Sequence, residues 1–119
     1  MDFRRFAEIS NMLIEGTDAA MTISHGKFTR HEFSARVGEM ILSELEKDDN
    51  SPGKVWTEQQ VPGLRKALEE KDRTPSDVIL KLAAPGLVAL SAESGEQVKD
   101  LAYRLVFGTF QALSGEALS

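Results

Sequence analysis

The chain contains no cysteine. That excludes a disulfide framework, a thiolate nucleophile and a Cys-ligated zinc site. Long apolar runs are also missing. The longest, Val78 to Ala92, is interrupted by Lys81 and Pro85 and falls short of the roughly 20 residues that cross a bilayer. It reads as buried protein, and no membrane partner is expected. The opening "MDFRRFAEIS" turns polar without the apolar stretch of a signal peptide, so export is not implied and a cytoplasmic setting is the expectation. Positive charge is sparse: 14 bases face 19 acids for a net charge of −5, and only Arg4–Arg5 and Arg65–Lys66 are adjacent bases. A nucleic-acid binder needs a concentrated basic face that releases phosphate counterions, so no nucleic-acid partner is expected. No stretch alternates apolar and polar residues between turn signals, so no strand is predicted.

What is present is helical periodicity in a chain whose 41% apolar and 28% charged residues are those of a folding globular protein. Phe3, Phe6, Ile9, Leu13, Ala20 and Met21 predict an amphipathic helix over residues 3–22, bent near Gly16. Thr29 followed by Glu32 is a capping box, opening a second helix with Phe33, Val37, Met40, Ile41 and Leu45 on one face. "DDNSPGKVW", Asp48 to Trp56, reads as a loop. Thr57 with Gln60 offers a further cap, but Pro62 and Gly63 follow closely, so the third helix is expected to start properly at Pro62 and to bury Leu64, Ala67 and Leu68.

Thr74–Pro75 is a start signal, with Asp77 suited to the positive end of the helix dipole. This fourth helix is expected to break or kink at Pro85–Gly86 and to resume in "LVALSA". Being apolar nearly all round, it should be central. Ser94 is read as the cap of a last helix with the stripe Val98, Leu101, Ala102, Leu105, Val106 and Phe110, closed by Gly115. Met21, Met40 and Phe107 are assigned to the core. The expectation is an all-α single domain, residues 1–119, with about five helices around a buried apolar helix at residues 75–92.

Candidate chemistry concentrates in "ISHGKFTRHE", residues 23–32. His25, His31 and Glu32 together could hold zinc or another divalent ion. Their spacing is not the i, i+4 that a helix pins, however, and the competing assignment is a turn in which Glu32 serves the cap. Glu44, Glu46, Asp48 and Asp49 lack the spacing of an EF-hand and read as a solvated helix end. Trp56, the only tryptophan, is a candidate anchor for a partner if exposed, or a packing residue at a helix entry. Ser24 beside His25 makes no triad, and there is no nucleophile elbow, phosphate loop or dinucleotide fingerprint. No enzymatic activity and no cofactor beyond a possible divalent metal are expected.

"LIEGTDAAMTISHGKFTRHEF", residues 13–33, resembles the segment of the TerB-like tellurite-resistance family in which a helix ends, a glycine turn follows and a capped acidic helix begins. "LAYRLVFGTFQALSGEALS", residues 101–119, is similar to that family's second copy of the pattern, with Gly26 and Thr29 echoed by Gly115 and Ser119. The resemblance implies a helical fold. His25 and Ser114 stand where the family has aspartate, leaving Glu32 and Glu116 as matches to its metal-associated acids.

Three functions follow as expectations. The first is a non-enzymatic binding or accessory module that meets a protein partner through an acidic helical surface, with a homodimer possible because the last two helices are so apolar, favoured if Val88, Leu105 and Phe107 form an exposed patch and disfavoured if they are inside. The second is a TerB-like, divalent-metal-responsive stress domain. The third is a small acidic inhibitor comparable to the immunity proteins that neutralise basic toxins.

Overall fold

The computed structural model describes residues 3–46 and 54–118, with the side chains of residues 3, 54–61, 93, 117 and 118 outside the described part. Among the described residues the chain is all α-helical, in five helices: α1 Phe3–Ser24, α2 Arg30–Glu46, α3 Lys54–Glu69, α4 Ser76–Ser94 and α5 Val98–Leu118. None of them is long and apolar enough to cross a membrane.

The central place of α4 follows from its composition. Ile79, Leu80, Ala83, Ala84 and Leu87 are all fully buried, and α4 packs against each of the other four helices. A helix flanked on most sides cannot confine its apolar residues to one stripe. Around it, Ile9 and Leu13 of α1, Phe33, Val37 and Ile41 of α2, Leu64 of α3, and Leu101 and Leu105 of α5 complete one core. Two hydroxyls buried among them bond back to their own helices: Thr17 donates to the Leu13 carbonyl at 2.8 Å and Thr109 to the Leu105 carbonyl at 2.7 Å, which removes the cost of leaving those two groups unpaired.

Helix α4 does not break at Pro85–Gly86; it runs unbroken through both. Proline there removes one backbone donor and costs roughly 3 kcal/mol, yet the surrounding burial holds the helix together. The adjacent glycine has a packing role. A Cβ at Gly86 would lie 2.8 Å from Ile41 Cγ2 and 3.0 Å from Leu45 Cδ1, so its absence is what lets α2 seat against α4.

Other helix ends also differ from the sequence expectation. Helix α3 begins at Lys54 rather than Pro62, which lies inside it, so the helix continues through a residue that lacks a backbone donor. Of the expected loop, residues 48–53 lie outside the described part, while residues 54–56 are helical. Ser94 is the last residue of α4 rather than the cap of α5: Gly95 takes the left-handed conformation and closes α4 through its bond to the Ser91 carbonyl. Gly115 does not end α5, which continues to Leu118.

Candidate functional site

The histidine segment is a structural junction. Ser24 ends α1, and His25 and Gly26 both have positive φ, 54° and 79°, reversing the chain in two residues. The capping box forms as its spacing predicts: the Glu32 amide donates to the Thr29 hydroxyl at 3.0 Å, and the Thr29 amide donates to Glu32 Oε1 at 3.3 Å. Phe28 is buried, its ring 5.6 Å from Phe33 and 5.8 Å from Phe110.

Two side chains then tie this junction to the start of α4. His31 donates from Nε2 to the Thr74 carbonyl at 3.2 Å. Arg30 bonds to Asp18 of α1, to Asp77 at 2.8 Å and to the Ser76 hydroxyl at 3.1 Å. The bond to Asp77 raises the Arg30 pKa above its ordinary value, with Asp18 adding to it against the opposing effect of partial burial. His25 is exposed on the turn while His31 and Glu32 are engaged as described. Among the described residues no three histidine or acidic side chains group as a metal site.

Several of the acids are drawn into ion pairs. Arg36 bonds both carboxylate oxygens of Glu116 at 3.0 Å, Glu46 pairs with Arg65, and Glu96 lies 3.3 Å from Arg104. Glu44 and Glu46 lie on α2, while Asp48 and Asp49 fall outside the described residues, as does the side chain of Trp56.

A different feature stands out. Helices α1 and α5 lie side by side, with the position of a Gly16 Cβ only 3.2 Å from Val106 Cγ2, and between them runs an apolar groove of about 480 Å³. Its α1 wall carries Met12, Glu15, Gly16, Ala19, Ala20 and Ile23; its α5 wall carries Lys99, Ala102, Tyr103, Val106, Phe107 and Phe110. Met12 is 38% exposed, Ile23 59%, Tyr103 76% and Phe107 53%. The Tyr103 and Phe107 rings stand parallel on successive turns, 6.5 Å apart.

Phe107 is therefore not a core residue. Of the patch expected from Val88, Leu105 and Phe107, Leu105 is buried and Val88 half-buried against the core, so only Phe107 contributes. Met12, Ile23 and Tyr103 escaped the sequence reading because each lies off the stripe that faces α4. Their signal was a surplus: α1 and α5 each carry a second apolar line beside the first, 12–19–23 and 103–107, which one core does not use.

Opposed apolar walls with a single charge on each can exclude water from an apolar side chain, and the contact would be of packing rather than of bond-making type. No protein-family model, curated protein or solved structure matches this chain.

Proposed function

We propose that this chain is a protein-interaction module that docks a helical partner surface in the α1–α5 groove. The observation that carries the reading is the exposure of Met12, Ile23, Tyr103 and Phe107 along one groove. Two of the four are aromatic, the side chains that dominate interface energetics, and apolar side chains exposed together in this way are often functional on a monomer. A helix laying aliphatic side chains at i, i+3 or i+4 and i+7 into such a groove is a common mode of recognition. In this reading the contact surface is apolar and aromatic, with Glu15 and Lys99 the charged residues along it.

A photo-reactive residue placed at position 103, and separately at the exposed position 70 beyond α3, tests this in cells. A discrete adduct from position 103 that disappears on Phe107→Glu is the expected result. Equal adducts from both positions, none from 103, or an adduct that survives Phe107→Glu would overturn the reading.

A further inference from the structure

We infer that the α1–α5 groove also takes a small amphipathic anion, a free unbranched fatty acid with its carboxylate at Lys99 and its tail along the groove. Scale points to a small molecule. At about 480 Å³ the groove falls within the roughly 300–1,000 Å³ of small-ligand sites, and its lining is of their kind, apolar side chains with a few charged groups.

Two contacts within the chain fix the direction of the groove. Gly16 of α1 is level with Val106 of α5, which its Cβ would approach to 3.2 Å. Phe28, just past the end of α1, meets Phe110, one turn beyond Val106. The two helices therefore run the same way. With a rise of about 1.5 Å per residue, Lys99 lies at one end, about 10 Å before the Gly16–Val106 level and about 16 Å before Phe110. Beyond Lys99 the lining carries no second base: Tyr103, Phe107 and Phe110 stand on one side, Gly16, Ala19 and Ile23 on the other. An extended carbon chain advances about 1.25 Å per carbon, from bonds of about 1.5 Å at near-tetrahedral angles. About 12–14 carbons thus span the distance from Lys99 to Phe110.

Charge selects the sign of the head group. Lys99 is exposed and has no ion-pair partner among the described residues, whereas Arg30, Arg36, Arg65 and Arg104 are each paired. Glu15 is the one acid of the lining, about 9 Å further along than Lys99 and so near mid-groove. There it repels a carboxylate but not a methylene chain, which leaves Lys99 as the place for an anionic head. A cationic head drawn to Glu15 would have only half the groove for its tail.

Titrating the isotopically labelled full chain with dodecanoate up to about 1 mM, below micelle formation, and following backbone amides by NMR tests the inference. Saturable shifts are expected at Gly16, Ala19 and Phe107, and none at Ala67 of α3, which packs on neither α1 nor α5 among the described residues. Octanoate, four methylenes shorter, should bind at least about tenfold more weakly even with its tail half-buried. Lys99→Met should weaken dodecanoate about 3- to 10-fold and leave uncharged dodecanol unchanged, a split that a loss of folding would not produce. Phe107→Glu should abolish both in a chain that keeps its helical circular dichroism.

Absence of saturable shifts, equal binding of dodecyltrimethylammonium, or indifference of dodecanoate to Lys99→Met would overturn the inference. Co-sedimentation with vesicles of mixed phosphatidylcholine and phosphatidylglycerol, without saturable binding of free dodecanoate, would overturn it in favour of a membrane surface. The ligand site does not require a protein partner, so the two readings of the groove fail separately. Dodecanoate binding with no adduct from position 103 removes the docking module alone; an adduct without dodecanoate binding removes the ligand site alone. Where both hold, dodecanoate should suppress the adduct, because the tail and the docked helix use the same walls.

Discussion

Replacing Gly86 by alanine isolates the reason that glycine follows Pro85 in the middle of the central helix. Two effects of opposite sign meet at this position. Helix propensity favours alanine over glycine by up to about 1 kcal/mol. Against it, the added Cβ would lie 2.8 Å from Ile41 Cγ2 and 3.0 Å from Leu45 Cδ1, and Ile41 is fully buried, so neither α2 nor α4 has free volume to yield. Overpacking of this kind costs about 1–3 kcal/mol. The steric effect should win, leaving Gly86→Ala about 1 kcal/mol less stable, which corresponds to a fall of about 3–5 °C in Tm for a domain of this size.

Gly115→Ala is the control with the same chemical change. Nothing lies within 4 Å of a Cβ there, so alanine should gain a few tenths of a kcal/mol from propensity alone. Thermal and urea unfolding of both variants gives the sign directly. Ile41→Ala then completes a double-mutant cycle: it costs about 2–5 kcal/mol by itself, and combined with Gly86→Ala it should be less harmful than the sum, because the new methyl enters the space vacated. A Gly86→Ala chain at least as stable as the parent, or strict additivity with Ile41→Ala, would refute the close-approach argument.

Two further outcomes test the junction between α1 and α2. His25→Gly should stabilise the fold by about 0.5–1 kcal/mol, because the residue holds φ at 54° where a side chain is disfavoured; a loss of stability in chemical unfolding would reveal a contact that outweighs the strain. Arg30→Lys keeps the charge but loses the planar fork that spans Asp18 and Asp77, and should cost about 1 kcal/mol or less given the exposure of the two acids. A raised folded pKa on a cation contributes stability below its unfolded pKa and loses it only above the folded value. The cost of Arg30→Lys should therefore be constant between about pH 6 and 9, both far below the arginine range, and a cost that varies steeply across that window in unfolding titrations would contradict the assignment.

Much of the architecture was legible in the order of residues. The periodicity of Phe33, Val37 and Ile41, the Thr29–Glu32 box and the apolar run through α4 each depend on neighbours within one or two turns, and local chemistry of that kind is written in the sequence. Proline and glycine misled wherever their local meaning was overruled. Pro62 and Pro85 signal breaks, yet both lie inside helices; around Pro85, burial of Ala83, Ala84 and Leu87 is worth more than one lost backbone bond. Gly115 signals a stop, yet α5 continues past it.

The candidate site was the least legible part. His25, His31 and Glu32 attract notice as chemistry-bearing side chains, but which partners they meet depends on where Thr74 and the start of α4 arrive in space. Tyr103, Phe107, Met12 and Ile23 read as ordinary helix residues, and nothing local distinguishes an apolar side chain that faces α4 from one that faces solvent. That distinction is set by the angle at which α1 and α5 lean on the core, with Gly16 against Val106 fixing their approach. Sequence alone determined that this chain forms helices and which of them is central; tertiary packing decided which apolar faces were left over, because a helix has more sides than its neighbours can cover.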